Sequence, residues 1–367
     1  MTEPRPGPAL GVALLSPCYW PEVRRGSERF ARELADGLIA RGHRPRLITS
    51  HPGRPSVRVE EGLPVTRVWR PPGNRLRRRM YEDHLTHLPF SYAALRAGDD
   101  ELAHALYPTD ALAAGRWGRK TGRPVVFSLM GIPHRRALAD RRGRMAIFER
   151  AIAEASALVV LTEAAAAACR RWLGADARVI APGVNLDRFS PGRARSRTPT
   201  IVCAAAIERP RKRVGLLIEA FGLVRGERPD ARLVLNRPAD PAARTPGPGI
   251  VYANLDDRDA LVEAYRTAWV SALPSLDEAF GLVLAEALAC GTPCVGSNLG
   301  GIPEVVDRPS IGRLFDGDEP AAVAAALLGA LELAEDPATG AACRARAGDF
   351  SSDLCTERYI ALYRELL

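Results

Sequence analysis

The sequence has no run of about 18 consecutive apolar residues, so it predicts no helix that crosses a membrane. Residues 1–10 lack a basic stretch followed by an apolar one, and we therefore expect no secretory signal. Zinc-finger spacing and interleaved aromatic and basic residues are also missing, which argues against nucleic-acid binding. Cysteine is sparse: its seven residues are widely spread and odd in number, which predicts small buried side chains in a reducing, cytoplasmic compartment.

What the chain does have is enough length and apolar content for a substantial core. Its 367 residues suffice for two α/β domains, and 47% apolar residues exclude wholesale disorder. The formal net charge is +8, and arginine supplies most of the positive charge. Such a balance suits anionic ligands, including nucleoside diphosphates, or an anionic membrane surface.

Short apolar runs alternate with helical patterns in both halves of the chain. Residues 10–15 and 200–206 are typical of buried parallel strands, and each precedes a loop and then a helix. This alternation predicts an α/β fold of two facing Rossmann-like domains with a cleft between them. We place the domains at residues 1–192 and 193–351, with residues 191–197 as the linker.

Residues 51–99 show no regular pattern and are expected to be irregular. They contain a cluster of exposed-type cations, Arg75, Arg77, Arg78 and Arg79. Such a cluster usually lies on a solvated loop. Its alternative partners are an acidic acceptor molecule and an anionic lipid surface, so peripheral membrane contact stays open.

The most informative stretch is residues 271–301, which contains two carboxylates eight positions apart. Glu278 precedes a helix predicted over residues 279–290, where the first amide groups lack intrahelical partners and can bind an anion or hydroxyl groups. Glu286 lies inside an almost wholly apolar run, where a charge is costly unless something binds it. The alternative for Glu286 is a lone carboxylate that faces solvent at a helix edge.

A second cluster of charge precedes the helix predicted over residues 214–224. Arg209, Arg211, Lys212 and Arg213 stand where the helix dipole disfavours cations, so we infer an anion that pairs with some of them. Arg211 and Arg213 are expected to face solvent. The Asp-x-Asp spacings at Asp257 and Asp316 are interpreted as a helix cap and a glycine turn, so no metal site is predicted.

Two histidines of the first half were considered as site residues. His104 falls inside a predicted strand and is interpreted as a core or rim histidine. His134 lies in a loop directly after the strand predicted over residues 124–129, and active groups of open α/β sheets lie at such carboxyl ends. We therefore treat His134 as a candidate catalytic residue.

The ordered motifs of residues 274–304 resemble the signature of the retaining family-four glycosyltransferases, which have the GT-B fold. The matching residues are Pro274-Ser275, Glu278, Glu286, Gly291-Thr292-Pro293 and Gly300-Gly301-Ile302-Pro303-Glu304. This resemblance implies transfer of a sugar from a UDP- or GDP-sugar to a hydroxyl acceptor with retention of configuration, without a metal or cofactor. It also implies that the final helix, residues 352–367, returns to the first domain.

The resemblance assigns roles to individual residues. It implies that Lys212 holds the donor diphosphate, that Glu286 accepts from ribose hydroxyls, and that Gly26 lies beside the donor phosphates. The family's diphosphate-binding arginine aligns with Ile207 in this chain, so Arg209 is expected to take that role through a shifted loop. The sugar hydroxyls are implied to contact Glu278, Ala279, Phe280, Gly281 and Leu282. Met130 stands where the family often has a histidine, so His134 is expected to replace that histidine or the role is absent.

Departures from the family leave the nucleobase and the acceptor open. Arg25 replaces a glycine, and residues 236–238 and 254–255 lack glycines that usually lie near the base. A nucleotide-sugar epimerase or hydrolase and a non-catalytic sugar-nucleotide binding protein are the alternative functions. Lipid-linked sugar, polysaccharide and small natural product all remain as acceptors, and the lack of a strongly amphipathic basic helix favours a soluble small molecule.

Overall fold

The computed structural model describes residues 8–19, 26–192 and 194–367. They form two compact units. One unit comprises the described residues up to Gly183 together with Asp353–Leu367, and the other is Val184–Ser352. The division at Gly183 lies nearer the N-terminus than the boundary at residue 192 expected from the linker composition.

The first unit is built on an eight-stranded sheet with the order β3-β4-β2-β1-β5-β6-β7-β8. All neighbouring strands are parallel except β3 and β4, which are antiparallel. Every residue of β1 is buried because a central parallel strand is covered on both faces. The strands are β1 (Gly11–Leu15), β2 (Arg44–His51), β3 (Ser56–Glu60), β4 (Leu63–Trp69), β5 (Leu102–Ala105), β6 (Val125–Leu129), β7 (Ala157–Val160) and β8 (Arg178–Val179).

Helices cover both faces of this sheet, so its core has two layers. Phe30 and Leu38 of the first helix pack in one layer, and Trp117 and Cys169 pack in the other. The helices are α1 (Gly26–Ala40), α2 (Asn74–Arg78), α3 (Leu88–Arg96), α4 (Pro108–Thr121), α5 (Arg135–Ala139), α6 (Arg144–Glu154) and α7 (Glu163–Leu173).

The expectation that residues 51–99 are irregular is wrong. They contain β3, β4, α2 and α3, and β4 pairs with β2 over Leu47–His51. Residues 56–60 alternate polar and apolar side chains, which is a strand signal that sequence reasoning missed; Val57 and Val59 of this edge strand are exposed.

The second unit has a six-stranded parallel sheet with the order β11-β10-β9-β12-β13-β14. Numbered from its own first strand, this is the 3-2-1-4-5-6 order of a doubly wound nucleotide-binding fold. The strands are β9 (Thr200–Cys203), β10 (Arg232–Asn236), β11 (Ile250–Ala253), β12 (Val270–Leu273), β13 (Cys294–Ser297) and β14 (Gly312–Phe315). The helices are α8 (Val214–Glu227), α9 (Arg258–Thr267), α10 (Leu282–Ala289), α11 (Pro320–Glu335) and α12 (Ala338–Gly348).

The final helix, α13 (Ser352–Leu366), packs on the first unit. Its Tyr359 and Tyr363 are fully buried, and Phe30 of α1 contacts the ring of Tyr359 with centroids 5.8 Å apart. None of the helices in the described ranges combines the length and apolarity that membrane crossing requires. All seven cysteines are buried, as predicted.

Candidate active site

The strand order of the second unit locates its ligand-binding edge. Strands β9 and β12 are neighbours, but the chain proceeds from them in opposite directions across the sheet. Ligands of open α/β sheets bind at the carboxyl ends of the two strands flanking such a switch point. The loops after β9 and β12, residues 204–213 and 274–281, therefore form the candidate active site.

The two loops meet through an ion pair between Lys212 and Glu278. The Lys212 Nζ lies 2.5 Å from Glu278 Oε2, and the side chains are only 16% and 18% exposed. Arg211 lies 3.9 Å from the same oxygen, and its backbone carbonyl accepts a hydrogen bond of 2.8 Å from Leu276. The structure thus brings together two predicted site residues that are 66 positions apart in the sequence.

The other cations of the β9 loop separate into two groups. Arg209 is exposed, and no side-chain contact is found for it in the described residues. The expectation that Arg213 faces solvent is wrong, since its side chain is 9% exposed. Its Nε donates to the Pro274 carbonyl at 2.6 Å and its Nη1 to the Gly317 carbonyl at 3.1 Å, so Arg213 ties three loops together.

The start of α10 lies directly beside this ion pair. The helix begins at Leu282, later than predicted, because Gly281 adopts a left-handed conformation with φ +95°. Among the described residues, no acceptor is found for the backbone amides of Phe280, Gly281 and Leu282. Phe280 itself is anchored by an edge contact with Phe350, with ring centroids 5.0 Å apart. These open amides can receive hydroxyl or phosphate oxygens.

Glu286 lies one turn into α10 and is 2% exposed. The alternative of a solvent-facing carboxylate at a helix edge is therefore wrong. Its neighbours Ala285 and Ala287 are also buried, so the helix is enclosed nearly all round. A buried carboxylate of this kind is costly to keep charged and is a candidate binding residue.

The predicted interpretations of the Asp-x-Asp spacings are confirmed. Asp257 caps α9, since its Oδ1 accepts from the amides of Asp259 and Ala260 at 3.0 and 2.9 Å. Gly317 forms the turn at residues 316–318 with φ +74°. Within the described ranges, no group of three His, Cys, Asp or Glu residues is arranged to hold a metal ion.

Two segments that depart from the motif pattern described above, residues 236–238 and 254–255, contact each other. Asn236 ends β10 and is buried; its Nδ2 donates to Asp256 at 3.1 Å, and its Oδ1 accepts from the Leu255 amide at 3.0 Å. Asn236 therefore closes the loop after β11 where the family usually has glycine.

In the first unit the predicted site residues take different positions. Gly26 is the first residue of α1 and is exposed, and a Cβ there would meet nothing within 4 Å. Arg25 lies outside the described residues. His134 caps α5, with its Nδ1 accepting from the Ala137 amide at 3.2 Å. A catalytic role for His134 stays a prediction.

His104 is a core histidine, as expected. It is fully buried in β5, and its two ring nitrogens lie 2.7 Å from Tyr363 and 2.7 Å from Ser128. Burial lowers the pKa of His104 to about 3.

Sequence reasoning missed a polar cluster at the carboxyl edge of the first sheet. The switch point of this unit lies between β1 and β5, and Cys18 and Tyr107 follow these strands. His84 lies between them, 3.9 Å from Cys18 Sγ and with its ring centroid 5.5 Å from that of Tyr107. Beside it, the buried His87 and Asp110 are 3.0 Å apart. In the sequence, this cluster was indicated only by the polar residues Thr109 and Asp110, which start α4 shortly after a buried strand.

Two family models match most of the chain between them. One is described as Glycosyltransferase Family 4 and covers residues 24–188; the other is described as Glycosyl transferases group 1 and covers residues 198–333. The D-inositol 3-phosphate glycosyltransferase of Streptomyces avermitilis is 31% identical over 336 residues, which cover 78% of this chain and 70% of the relative. The enzyme of the same name from Geodermatophilus obscurus is 34% identical over 258 residues, 62% of this chain but only 57% of the relative.

Solved structures with the same fold cover nearly the whole chain. A sucrose-phosphate synthase from Thermosynechococcus elongatus superposes with a TM-score of 0.78 at 22% identity, over 97% of this chain and 98% of its own. Anabaena HepE, solved in complex with UDP-glucose, superposes with a TM-score of 0.74 at 16% identity, over 97% of this chain and 100% of its own. The chain therefore belongs to the family-four glycosyltransferases, and its two Rossmann-like units are those of the GT-B fold.

Proposed function

We propose that the chain transfers a glycosyl group from a nucleoside-diphosphate sugar to a hydroxyl acceptor with retention of configuration. The observation that carries this proposal is the contact between Lys212 and Glu278 at the switch point of the second unit. A departing diphosphate needs positive charge, and the sugar needs acceptors for its hydroxyls. The ion pair supplies both groups at one place beside the open amides of α10.

Each residue has a role in this proposal. Lys212 and the exposed Arg209 neutralise the diphosphate, so the reaction needs neither a metal nor a cofactor. Glu278 and the amides of residues 279–281 hold the sugar, and Glu286 accepts hydrogen bonds from the ribose. The buried position of Glu286 supports this role, because a ribose that reaches it is also shielded from water.

Retention follows from a front-side displacement in this proposal. The acceptor oxygen attacks the anomeric carbon on the face from which the diphosphate departs. The bond from that carbon to the diphosphate oxygen breaks, and the acceptor proton passes to the leaving diphosphate. Glu278 is engaged by Lys212, which suits a carboxylate that binds hydroxyls rather than a nucleophile.

Names of relatives guide the choice of substrates. HepE binds UDP-glucose, so a uridine diphosphate sugar is the first donor to test. The named relatives act on inositol 3-phosphate, so a small polyol is the first acceptor to test. We place the activity in the cytoplasm, which the burial of all seven cysteines supports.

The test begins with a thermal-shift panel of uridine, guanosine and thymidine diphosphate sugars, because a ligand of the native state raises the melting temperature by mass action. Nucleotide release is then measured with and without acceptor, and the anomeric configuration of the product is read by NMR. Acceptor-dependent release with a retained anomer is expected. Release of nucleotide and epimerised or free sugar without acceptor would instead identify an epimerase or hydrolase, and binding without turnover would identify a binding protein.

Glu286→Gln separates donor binding from folding. We expect donor affinity to fall about 10- to 100-fold, as for the loss of a hydrogen bond to a charged group. Stability should be unchanged or higher, since a buried charge is removed. Glu332→Gln on the exposed face of α11 is the matched control. Unchanged donor affinity in Glu286→Gln would contradict the assignment.

A further inference from the structure

The surface formed by residues 74–83 and 140–145 is unusually basic, and the proposed donor site does not use it. We call it the arginine strip. It contains seven arginines and three acids. One acid, Glu82, is buried in an ion pair with Arg144, and the other two, Asp83 and Asp140, contact Arg77, Arg141 and Arg144 at 3.7 to 3.8 Å.

Four arginines of the strip have no compensating carboxylate in the part of the chain that the structure describes. They are exposed, and in the described residues no carboxylate lies within ion-pair distance of them: Arg75, Arg78, Arg79 and Arg142. A protein surface that holds this much uncompensated charge attracts anionic partners.

Apolar side chains are exposed among these arginines. Met80 is 46% exposed, and Tyr81 and Met145 are each 37% exposed. Met80 also adopts a left-handed backbone conformation with φ +61°, which asparagine or glycine would adopt at lower cost. Folding of the chain therefore does not explain an exposed methionine at this position.

The two segments of the arginine strip are distant in the sequence but are held against each other by direct contacts. The Arg142 amide donates to the Met80 carbonyl at 2.6 Å, and the buried ion pair of Arg144 with Glu82 adds a side-chain link. The cations and the apolar side chains of both segments thus belong to one surface.

We propose that the arginine strip docks this protein on an anionic lipid membrane. Arginines pair with lipid phosphates, and methionine and tyrosine side chains suit the boundary between headgroups and acyl chains. A soluble polyanion would use the charges but would not require the exposed apolar side chains. The combination therefore favours a membrane surface over a nucleic acid or an acidic protein.

The experiment uses the 367-residue chain and co-sedimentation with vesicles of phosphatidylcholine, with and without phosphatidylglycerol. Binding to the anionic vesicles alone is expected, and salt should weaken it. Each arginine near an anionic surface strengthens binding about fivefold, so Arg78→Ala with Arg79→Ala should weaken it about 25-fold. The matched control is Arg170→Ala with Arg171→Ala, another consecutive exposed pair at the end of α7.

Met80→Asn tests the apolar part without stressing the fold, because asparagine accepts the left-handed conformation. It should weaken vesicle binding and leave binding to heparin, a soluble polyanion, unchanged. The proposal is overturned if the chain does not bind anionic vesicles, or if the control pair weakens binding as much as the strip pair. It is also overturned if Met80→Asn binds vesicles like the wild type and heparin displaces both, since the strip then binds polyanions in general.

Discussion

The contact between Lys212 and Glu278 predicts that replacing one residue of the candidate site, Glu278, does not weaken the binding of a nucleoside diphosphate, although replacing a site residue usually weakens ligand binding. In the free chain the lysine is engaged by the carboxylate at 2.5 Å. A bound diphosphate competes with Glu278 for the same cation. Lys212→Met should therefore weaken binding of the nucleoside diphosphate and of the full sugar donor alike. Glu278→Gln should leave nucleoside diphosphate binding intact or improve it, while the added affinity from the sugar is lost.

The magnitudes follow from the burial of the pair. Loss of a hydrogen bond to a charged group costs about 1.5–3 kcal/mol, so Lys212→Met should weaken both ligands about 10- to 100-fold. The ion pair is neither fully exposed nor fully buried, so breaking it in the free chain costs about 1–3 kcal/mol. Binding gives up part of that interaction in the wild type but not in Glu278→Gln. A gain of up to about 1 kcal/mol, or about fivefold, is expected for the nucleoside diphosphate.

The assay is isothermal titration calorimetry of both variants and the double variant with each ligand. Lys120→Met is the matched control, because Lys120 is the only other lysine of the chain and is exposed in the last turn of α4. The reasoning is refuted if Lys212→Met binds like Lys120→Met. Equal loss of nucleoside diphosphate affinity in Lys212→Met and Glu278→Gln would refute it as well.

Two further predictions concern stability. Burial lowers the pKa of His104 to about 3, below its value in the unfolded chain. Between about pH 6.5 and 3 the unfolded chain therefore binds more protons than the folded chain. The free energy of unfolding should decrease by about 1 kcal/mol for each unit by which the pH is lowered in this range. In urea unfolding at neutral pH and about pH 5, His104→Asn should be less stable overall but lose less on acidification; equal losses would contradict this. Gly281→Ala should lower stability by about 1–2 kcal/mol because φ is +95°, whereas Gly222→Ala inside α8 should raise it by up to about 1 kcal/mol. Thermal melts that shift in the same direction would contradict this contrast.

Several features of the protein are decided by local sequence. The apolar run of β1 forms a fully buried strand, and Glu286 is buried because the helix around it is apolar. Gly291 follows the end of α10 and adopts a left-handed conformation with φ +81°, and Asp257 caps α9. These outcomes depend on periodicity and on backbone preferences within a few residues, so the printed sequence is sufficient to predict them.

Other features depend on the tertiary structure, above all on which strands are neighbours in the sheet. Lys212 meets Glu278 because β9 and β12 are neighbours in the sheet, although 66 positions separate the two residues. Arg213 turns inward because the carbonyls of Pro274 and Gly317 come within its reach, and Met80 meets Arg142 through a backbone hydrogen bond. Periodicity states which way a side chain points along its own element. Which partner it meets depends on strand order and loop closure, and these minimise the free energy of the whole chain rather than of any segment.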